Sequence, residues 1–430
     1  MTDRQTIGRN RLAVLAMLAA GMIAAGCQKS AQPGGKVPTT APAESQPATT
    51  SSVPTTAATT TAFTPYVSTR PFVPGPSASP LPGWPALQRG GAMLGQADPI
   101  GPPPYAVRWS YRTADAGIAA SAAIAGDAVY VADEKGFLHA LDLATGKPRW
   151  RFQAGGSLAV SPLVHQGKVL LGDMDGVFYA VDAVSGQKLW SYESGSPIHS
   201  SANLAGDTVL FANDEGSLTC LRIADGQKVW VFAVGIRVNG APAVASGVAV
   251  VATCNGTIVG VDLADGTERL RFEIGALAGG SPVLAGDRGI VGTDRGRVAA
   301  YDLATGKELW VYEQVQDEAM VYATPAVAEG LVLAGARDSQ VHAMDLASGA
   351  PRWVFATHGQ IDGSPVVSNG RVYAASKDGR LYVLDLKSGR SLWEFSAGKG
   401  LAAGPAIGIG VIVLCDEAGT VYCLQPQVTR

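Results

Sequence analysis

One phrase, written twice, constrains this chain more than any bulk property. D-L-A-T-G-K-P-R-W at positions 142–150 returns as D-L-A-T-G-K-E-L-W at 302–310. Between and beyond these copies runs a series of W-x-aromatic tripeptides that start at Trp109, Trp150, Trp190, Trp230, Trp310, Trp353 and Trp393, with Leu270 and Phe272 filling the single gap. The steps are 40 to 43 residues. Self-similarity at that period means a repeat architecture. Within a unit such as 159–193, short alternating runs break at H-Q-G-K, D-M-D-G and A-V-S-G-Q-K, where hairpins need turn residues. Four antiparallel strands in about 40 residues make one propeller blade. β-Branched content and Gly-bearing turns exclude a helical repeat of similar length. Strand starts at Ile118, Leu158, Ile198, Val238, Ala278, Val321, Ile361 and Leu401 make eight blades. The eighth stops after three strands, at 419–425, and V-R-W-S-Y-R at 107–112 has no three strands before it. The N-terminal strand is therefore expected to complete the last blade and close the ring, removing two exposed edges. The expected fold is all-β, an eight-bladed propeller of four-stranded antiparallel blades.

Turns led by Asp142, Asp182, Asp302, Asp345 and Asp385, and by Arg222 in one copy, precede the tryptophans after Trp109; Asp262 leads the turn before Leu270, and a glycine stands four residues on in every copy. The aspartate is expected to cap backbone N–H groups of its own turn, and the glycine to tolerate positive φ. Residues A-L-D-L-A-T-G-K-P-R-W (140–150), A-V-D-A-V-S-G-Q-K-L-W (180–190) and A-M-D-L-A-S-G-A-P-R-W (343–353) resemble the tryptophan-docking motif of the quinoprotein-like, eight-bladed propeller family, over 107–425. The resemblance implies that each Trp lies between adjacent blades. The small residue at the motif's start, as at Ala140, Ala180, Ala300 and Ala343, then makes room for a neighbour's ring. The repeated phrase is expected to be a joint rather than a site.

The chain does not begin as propeller. Arg4, Arg9 and Arg11 precede an apolar run at 12–25 that is too short to span a bilayer and matches a secretory h-region. A-A-G-C, ending at Cys27, resembles the bacterial lipobox, with Ala24 where Leu is commoner. The resemblance implies a lipidated Cys27, anchored by more than one acyl chain. Gln28, by the enterobacterial sorting rule, directs it to the outer membrane. Residues 1–26 are read as signal peptide, 27–104 as a disordered Thr/Pro/Ala-rich tether, 105–425 as propeller and 426–430 as a tail. Roughly 80 tether residues would reach about 50 Å as a coil, or about 250 Å in polyproline geometry. Within the tether, G-W-P-A-L-Q-R-G-G-A-M-L-G (83–95) resembles the leader that precedes quinoprotein-like repeats, and Trp84 is expected to pack on the folded domain.

Chemistry is hard to place on the repeat. Many relatives of this family are pyrroloquinoline-quinone-dependent dehydrogenases. The resemblance would require a channel-floor Trp, calcium ligands from Glu, Asn and Asp, a catalytic Asp, an adjacent-cysteine disulfide and long insertions. Here every Trp except Trp84 belongs to the docking series, and no two cysteines are adjacent. The inner-strand column reads Ser121, Ser161, Ser201, Ala241, Ser281, Thr324, Ser364 and Gly404, without calcium ligands. D-M-D-G at 173–176 lacks the distal Glu of a calcium loop, and G-I-G at 408–410 falls in a hairpin turn. His139 and His342 share a column but sit in blades 1 and 6, so they are read as packing residues. Cys220 and Cys423 read as buried small hydrophobes. Cys415 and Cys423 fall out of register for a disulfide, and Cys254 is the thiol expected in a turn. No catalytic residue, cofactor or metal site is expected.

A net charge of −3 with 16 % charged residues offers no basic footprint for nucleic acid. What remains is a docking ring, expected to act as a monomer on envelope protein partners. Its B–C turns carry Asp133, Asp173, Asp175, Asp214, Glu215, Asp294, Asp378, Asp416 and Glu417. The one enlarged blade joint, 314–325, makes Asp317, Glu318 and Met320 the expected partner contacts. A lipid-anchored ring of this kind resembles the lipoprotein subunit of the outer-membrane β-barrel assembly machinery, although the long tether departs from its familiar form. The resemblance implies a periplasm-facing scaffold that binds the insertase. The alternative is a quinone-dependent dehydrogenase or a ligand-binding propeller.

Overall fold

Eight antiparallel sheets stand in a ring, and each repeats the same plan. The computed structural model describes residues 66–67, 83–84, 86–114, 116–315 and 319–427. Cys27 and its neighbours lie outside the described residues. In blade 1 the strands are Ala123–Ala125 (A, innermost), Ala128–Ala132 (B), Phe137–Asp142 (C) and Pro148–Gln153 (D, outermost). Blades 2 to 7 repeat this order, ending with strand D of blade 7 at Ser391–Ser396. Blade 8 takes strands A to C from Ala406–Gly408, Val411–Cys415 and Thr420–Pro426, and its fourth from Tyr105–Arg112. Trp109 pairs with Cys423 across this closing ladder, the place that Trp150 and Ala140 occupy in blade 1. The N-terminal strand thus completes the last blade, and the ring has no open seam.

Local chemistry explains the hairpins. Five A–B turns place a non-glycine and then a glycine at positive φ: Gln166–Gly167, Ser246–Gly247, Glu329–Gly330, Asn369–Gly370 and Ile409–Gly410. Two successive left-handed residues make a type I′ turn, whose twist matches the flanking strands. The apolar clusters lie between blades. Tyr130 and Leu138 of blade 1, for example, pack with Leu158, Val169 and Val181 of the blade 2 repeat. One blade cannot bury its own faces, so the neighbouring units fold on each other.

The strand starts need a correction. Strand A begins five residues after each, at Leu163 rather than Leu158 in blade 2 and at Asn203 rather than Ile198 in blade 3. The earlier residues are inter-blade wedges. Ile198 is fully buried, and a Cβ on Gly172 of the preceding blade would come within 2.5 Å of its side chain.

Residues 83–104 differ most from expectation. The sequence reading assigns them to the tether, with Trp84 alone packed on the folded domain; Trp84 is indeed buried, but so are Gln88, Met93 and Ile100, each at most 2 % exposed. This leader runs over the inner strands on the side of the A–B turns. Trp84 exchanges two backbone bonds with Ile124 of blade 1, at 2.9 and 2.8 Å. Ala86 packs with Leu163 of blade 2. The Asn203 amide of blade 3 holds both the N–H and the carbonyl of Gly91, each at 2.8 Å. Further along, Gly91, Ala92 and Leu94 carbonyls accept from Val244, Leu284 and Val327 of blades 4, 5 and 6, at 2.8, 3.0 and 2.9 Å. Gly95 and Ala97 clasp Val367 of blade 7, both at 2.8 Å. Gly83 lies against Gly408 of blade 8. Inner strands of three residues leave backbone groups unpaired on their inner edge, and the leader satisfies many of them.

Candidate docking surface

The repeated phrase works as a joint between blades. Each Asp side chain caps its own turn; Asp302 Oδ1, for instance, accepts from the Thr305 amide at 2.8 Å and hydroxyl at 2.7 Å. The Arg149 guanidinium, with help from Thr145, holds the Asp142 carboxyl down at about 2. The turn's glycine receives the Trp of the preceding blade. A Cβ on Gly146 would stand 2.5 Å from the Trp109 ring, and Gly146 itself has a φ of 70°. Six indole N–H groups, of Trp109, Trp150, Trp190, Trp230, Trp310 and Trp353, donate to carbonyls of the next blade's turn at 2.9 to 3.1 Å. Blade 4 has Phe272 rather than an indole against Gly306. Trp393 meets blade 8, which lacks this turn, and packs edge-on to Tyr105 at 5.1 Å. The small residue at the motif's start serves a different ring from the one expected. Ala140, Ala180, Ala300 and Ala343 pair across the ladder with the Trp of their own blade, which needs clearance to lie over the sheet.

The inner column, read from the sequence only as small and uncharged, is a second set of inter-blade bonds. Ser161 Oγ accepts from the Ser121 amide at 3.1 Å, and Ser201 Oγ from the Ser161 amide at 3.0 Å. Ser281, Thr324 and Ser364 do the same for Ala241, Ser281 and Thr324. Ser121 Oγ links blade 1 to blade 8 by donating to Gly404 O at 2.9 Å, while Ala241 and Gly404 interrupt the series. The period of the serines was the available signal. Ser161→Ala is expected to cost about 1 kcal/mol by leaving the Ser121 amide without its acceptor, measured as a lower urea midpoint at unchanged slope.

Three of the nine acidic turn residues disappear into the structure. Asp133, Asp173 and Asp416 are at most 1 % exposed. They are consumed by their own B–C turns: Asp173 Oδ1 accepts from Asp175 and Val177, while Oδ2 takes Gly156 N–H and Tyr179 O–H. D-M-D-G is therefore a capped turn. His139 and His342 each bridge a tyrosine and an aspartate, Tyr111 with Asp133 and Tyr312 with Asp338. Among the described residues no cysteine is in a disulfide. Cys415 pairs with Val421 and Cys423 with Val413, and burial pushes both thiols up to about 12. Cys254 is half-buried and accepts from the Asn239 amide at 3.2 Å.

Two charged knots remain on the face of the B–C turns and blade-joining loops. In blades 3 and 4, Asp214 lies 2.8 Å from His199 and 3.1 Å from Arg237. In blades 6 and 7, Arg337 grips Asp362 with two bonds, at 2.8 and 3.0 Å, beneath the Tyr322 ring, whose centroid is 4.4 Å from the guanidinium carbon. Burial opposes ionisation of Asp362, but Arg337 and Lys377 outweigh it and hold its carboxyl below the usual range. This second knot adjoins the enlarged joint: the carbonyl of half-buried Met320 accepts from the Arg337 amide at 3.1 Å. Asp317 and Glu318 lie outside the described residues.

The family model described as outer membrane protein assembly factor BamB matches residues 87–236 and 224–427, together most of the chain. The chain belongs to the BamB family. The matched span begins inside the leader, in keeping with its place in the folded body. BamB from Moraxella catarrhalis has the same fold, with a TM-score of 0.64 and 19 % identity over 76 % of this chain and 99 % of that one. The quinohemoprotein alcohol dehydrogenase ADHIIG from Pseudomonas putida HK5 reaches a TM-score of 0.68 at 15 % identity, covering 81 % of each chain. The computationally designed Ika8 protein matches with a TM-score of 0.66 at 18 % identity, over 74 % of this chain and 98 % of that one. No curated protein matches the chain.

The dehydrogenase likeness raises the question of a quinone and calcium. Calcium needs several converging oxygen ligands, usually carboxylates. Here the inner hydroxyls are committed to backbone amides of neighbouring blades, and no group of three His, Cys, Asp or Glu could hold a metal among the described residues. The seven docking tryptophans lie in the outer strands D, and Trp84, on the inner strands, is 1 % exposed and offers no open ring face. The residues present do not fit the pair.

Proposed function

We propose that this chain is a non-catalytic cell-envelope scaffold, lipid-anchored at Cys27 on the periplasmic side of the outer membrane, that takes part in assembling outer-membrane β-barrel proteins. The observation that carries this reading is the BamB family match over 87–427. The commitment of repeated tryptophans, aspartates and serines to blade joints supports a ring used for its surface. The leader covers the centre of the A–B turn side, so we assign partner binding to the opposite face. On that face Met320 bonds to Arg337 of the Tyr322–Arg337–Asp362 knot, and we assign partner contact to it and to its sequence neighbours Asp317 and Glu318.

Pull-down from membranes with a tagged, Cys27-intact protein is expected to recover components of the β-barrel assembly machinery. A Cys27→Ser variant is expected to leave the membrane fraction. Recovery of no assembly component would sink the reading. The quinohemoprotein dehydrogenase likeness sustains one competitor. Turnover of an alcohol or glucose in a dye-linked assay, after reconstitution with quinone and calcium, would favour that competitor.

A further inference from the structure

We propose that the outer edge of blade 4 is a strand-acceptor edge, held by the chain's own residues Tyr66–Val67 and open to exchange with an extended segment of a client polypeptide. Among the described residues, seven sheets end at four strands, and blade 4 alone has a fifth. Tyr66 pairs with Arg271 and Val67 with Leu270, antiparallel, on the outer strand Glu268–Glu273. An outer strand presents unpaired N–H and C=O groups, which bind any extended backbone in register. A two-residue resident is marginal by itself. It persists by being tied to the same chain, where effective concentration replaces affinity. A longer incoming strand makes more ladder bonds and displaces it.

Blade 4 also differs from its peers at this strand. Leu270 stands where other blades have Trp, so no indole bonds the outer strand to the Leu303 carbonyl of the next turn. A small cavity of about 10 Å³ lies at that joint, lined by Val250, Phe272, Val291 and Tyr301 among others. Arg271 folds back on Glu268 through Nε and a terminal nitrogen, at 3.0 and 2.8 Å, so the edge's central charges neutralise one another. A groove of about 510 Å³ opens beside the strand's first turn, lined by Thr208, Val229, Leu263 and Arg269 among others. Val229 is 47 % exposed there. A client strand that continues past the Leu270 position towards Arg269 can bring an apolar side chain to Val229 and Leu263. The fit is to an extended segment of alternating apolar and polar residues. Its identification with an unpaired strand of a β-barrel precursor rests on the assembly reading above.

The test places a benzoylphenylalanine photocrosslinker at Arg271 in the full chain, with a control at Val231, the corresponding position of blade 3. The probe is a short synthetic peptide alternating Tyr and Val with Thr and Lys. Tyr66→Pro with Val67→Pro removes the resident strand's amide donors without touching the ring. Peptide crosslinking at 271 is expected to rise several-fold in the proline variant and to stay at background at 231. No rise, or an equal rise at both positions, overturns the proposal. Crosslinking at 271 together with a membrane pull-down empty of assembly components would keep the edge and remove the assembly reading. The reverse pair of results would do the opposite.

Discussion

A chain starting at Pro104 is expected to be less stable than one starting at Pro65 by 5 kcal/mol or more. Trp84, Met93 and Ile100 are fully buried in the ring's inner side, and burying each such side chain contributes about 1.5–3 kcal/mol. Truncation also exposes the inner-strand amides of Val244, Leu284, Val327 and Val367, now bonded to the leader. A loss of that size rivals the whole stability of an ordinary domain, about 5–15 kcal/mol. Urea unfolding followed by tryptophan fluorescence measures it. Trp84→Ala is the milder form and should cost about 3–5 kcal/mol. Equal midpoints for the two chain lengths would mean that the leader merely lies on the ring.

The second large effect concerns the joints. Trp310→Ala is expected to cost about 3–5 kcal/mol, because it empties a buried seat between blades 5 and 6. Trp310→Phe should retain most of the packing and lose the indole bond to Leu346 O at 3.0 Å, a change of about 1 kcal/mol. Trp393→Phe should cost less, since Trp393 faces blade 8, where the closing strand brings Tyr105 instead of a turn carbonyl. Equal costs at 310 and 393 would refute the role given to the indole N–H. Denaturant midpoints of the three variants decide the order.

The joints were legible because they repeat. A residue type returning every 40 positions advertises a shared environment, and Asp302 or Trp310 could be assigned from their copies alone. The closing strand was legible because two incomplete blades complement each other, Tyr105–Arg112 with Thr420–Pro426. The acidic turns misled for the opposite reason. Asp133 and Asp173 look like surface charge in a string of letters, whereas the folded B–C turn buries them against their own amides. The serine column was visible but its use was not: a hydroxyl that accepts from the next blade's backbone leaves no mark on that partner's side chain.

Residues that do not repeat needed the three-dimensional arrangement. The leader bonds to the inner strands mostly through its backbone, so residues 83–104 carry little side-chain code beyond Trp84, and their composition resembles the Pro/Ala-rich stretch before them. Only the ring reveals that its inner strands still need partners. Likewise, Leu270 reads as a degraded copy of a motif, while the structure shows an outer strand relieved of its indole and paired to Tyr66–Val67. The sequence by itself determined the period, the blade count and the closure, because each is a relation between copies. The tertiary structure decided what covers the inner edges, which acids stay in water and which outer strand carries a fifth, because those depend on which backbone groups are left unpaired once every copy is in place.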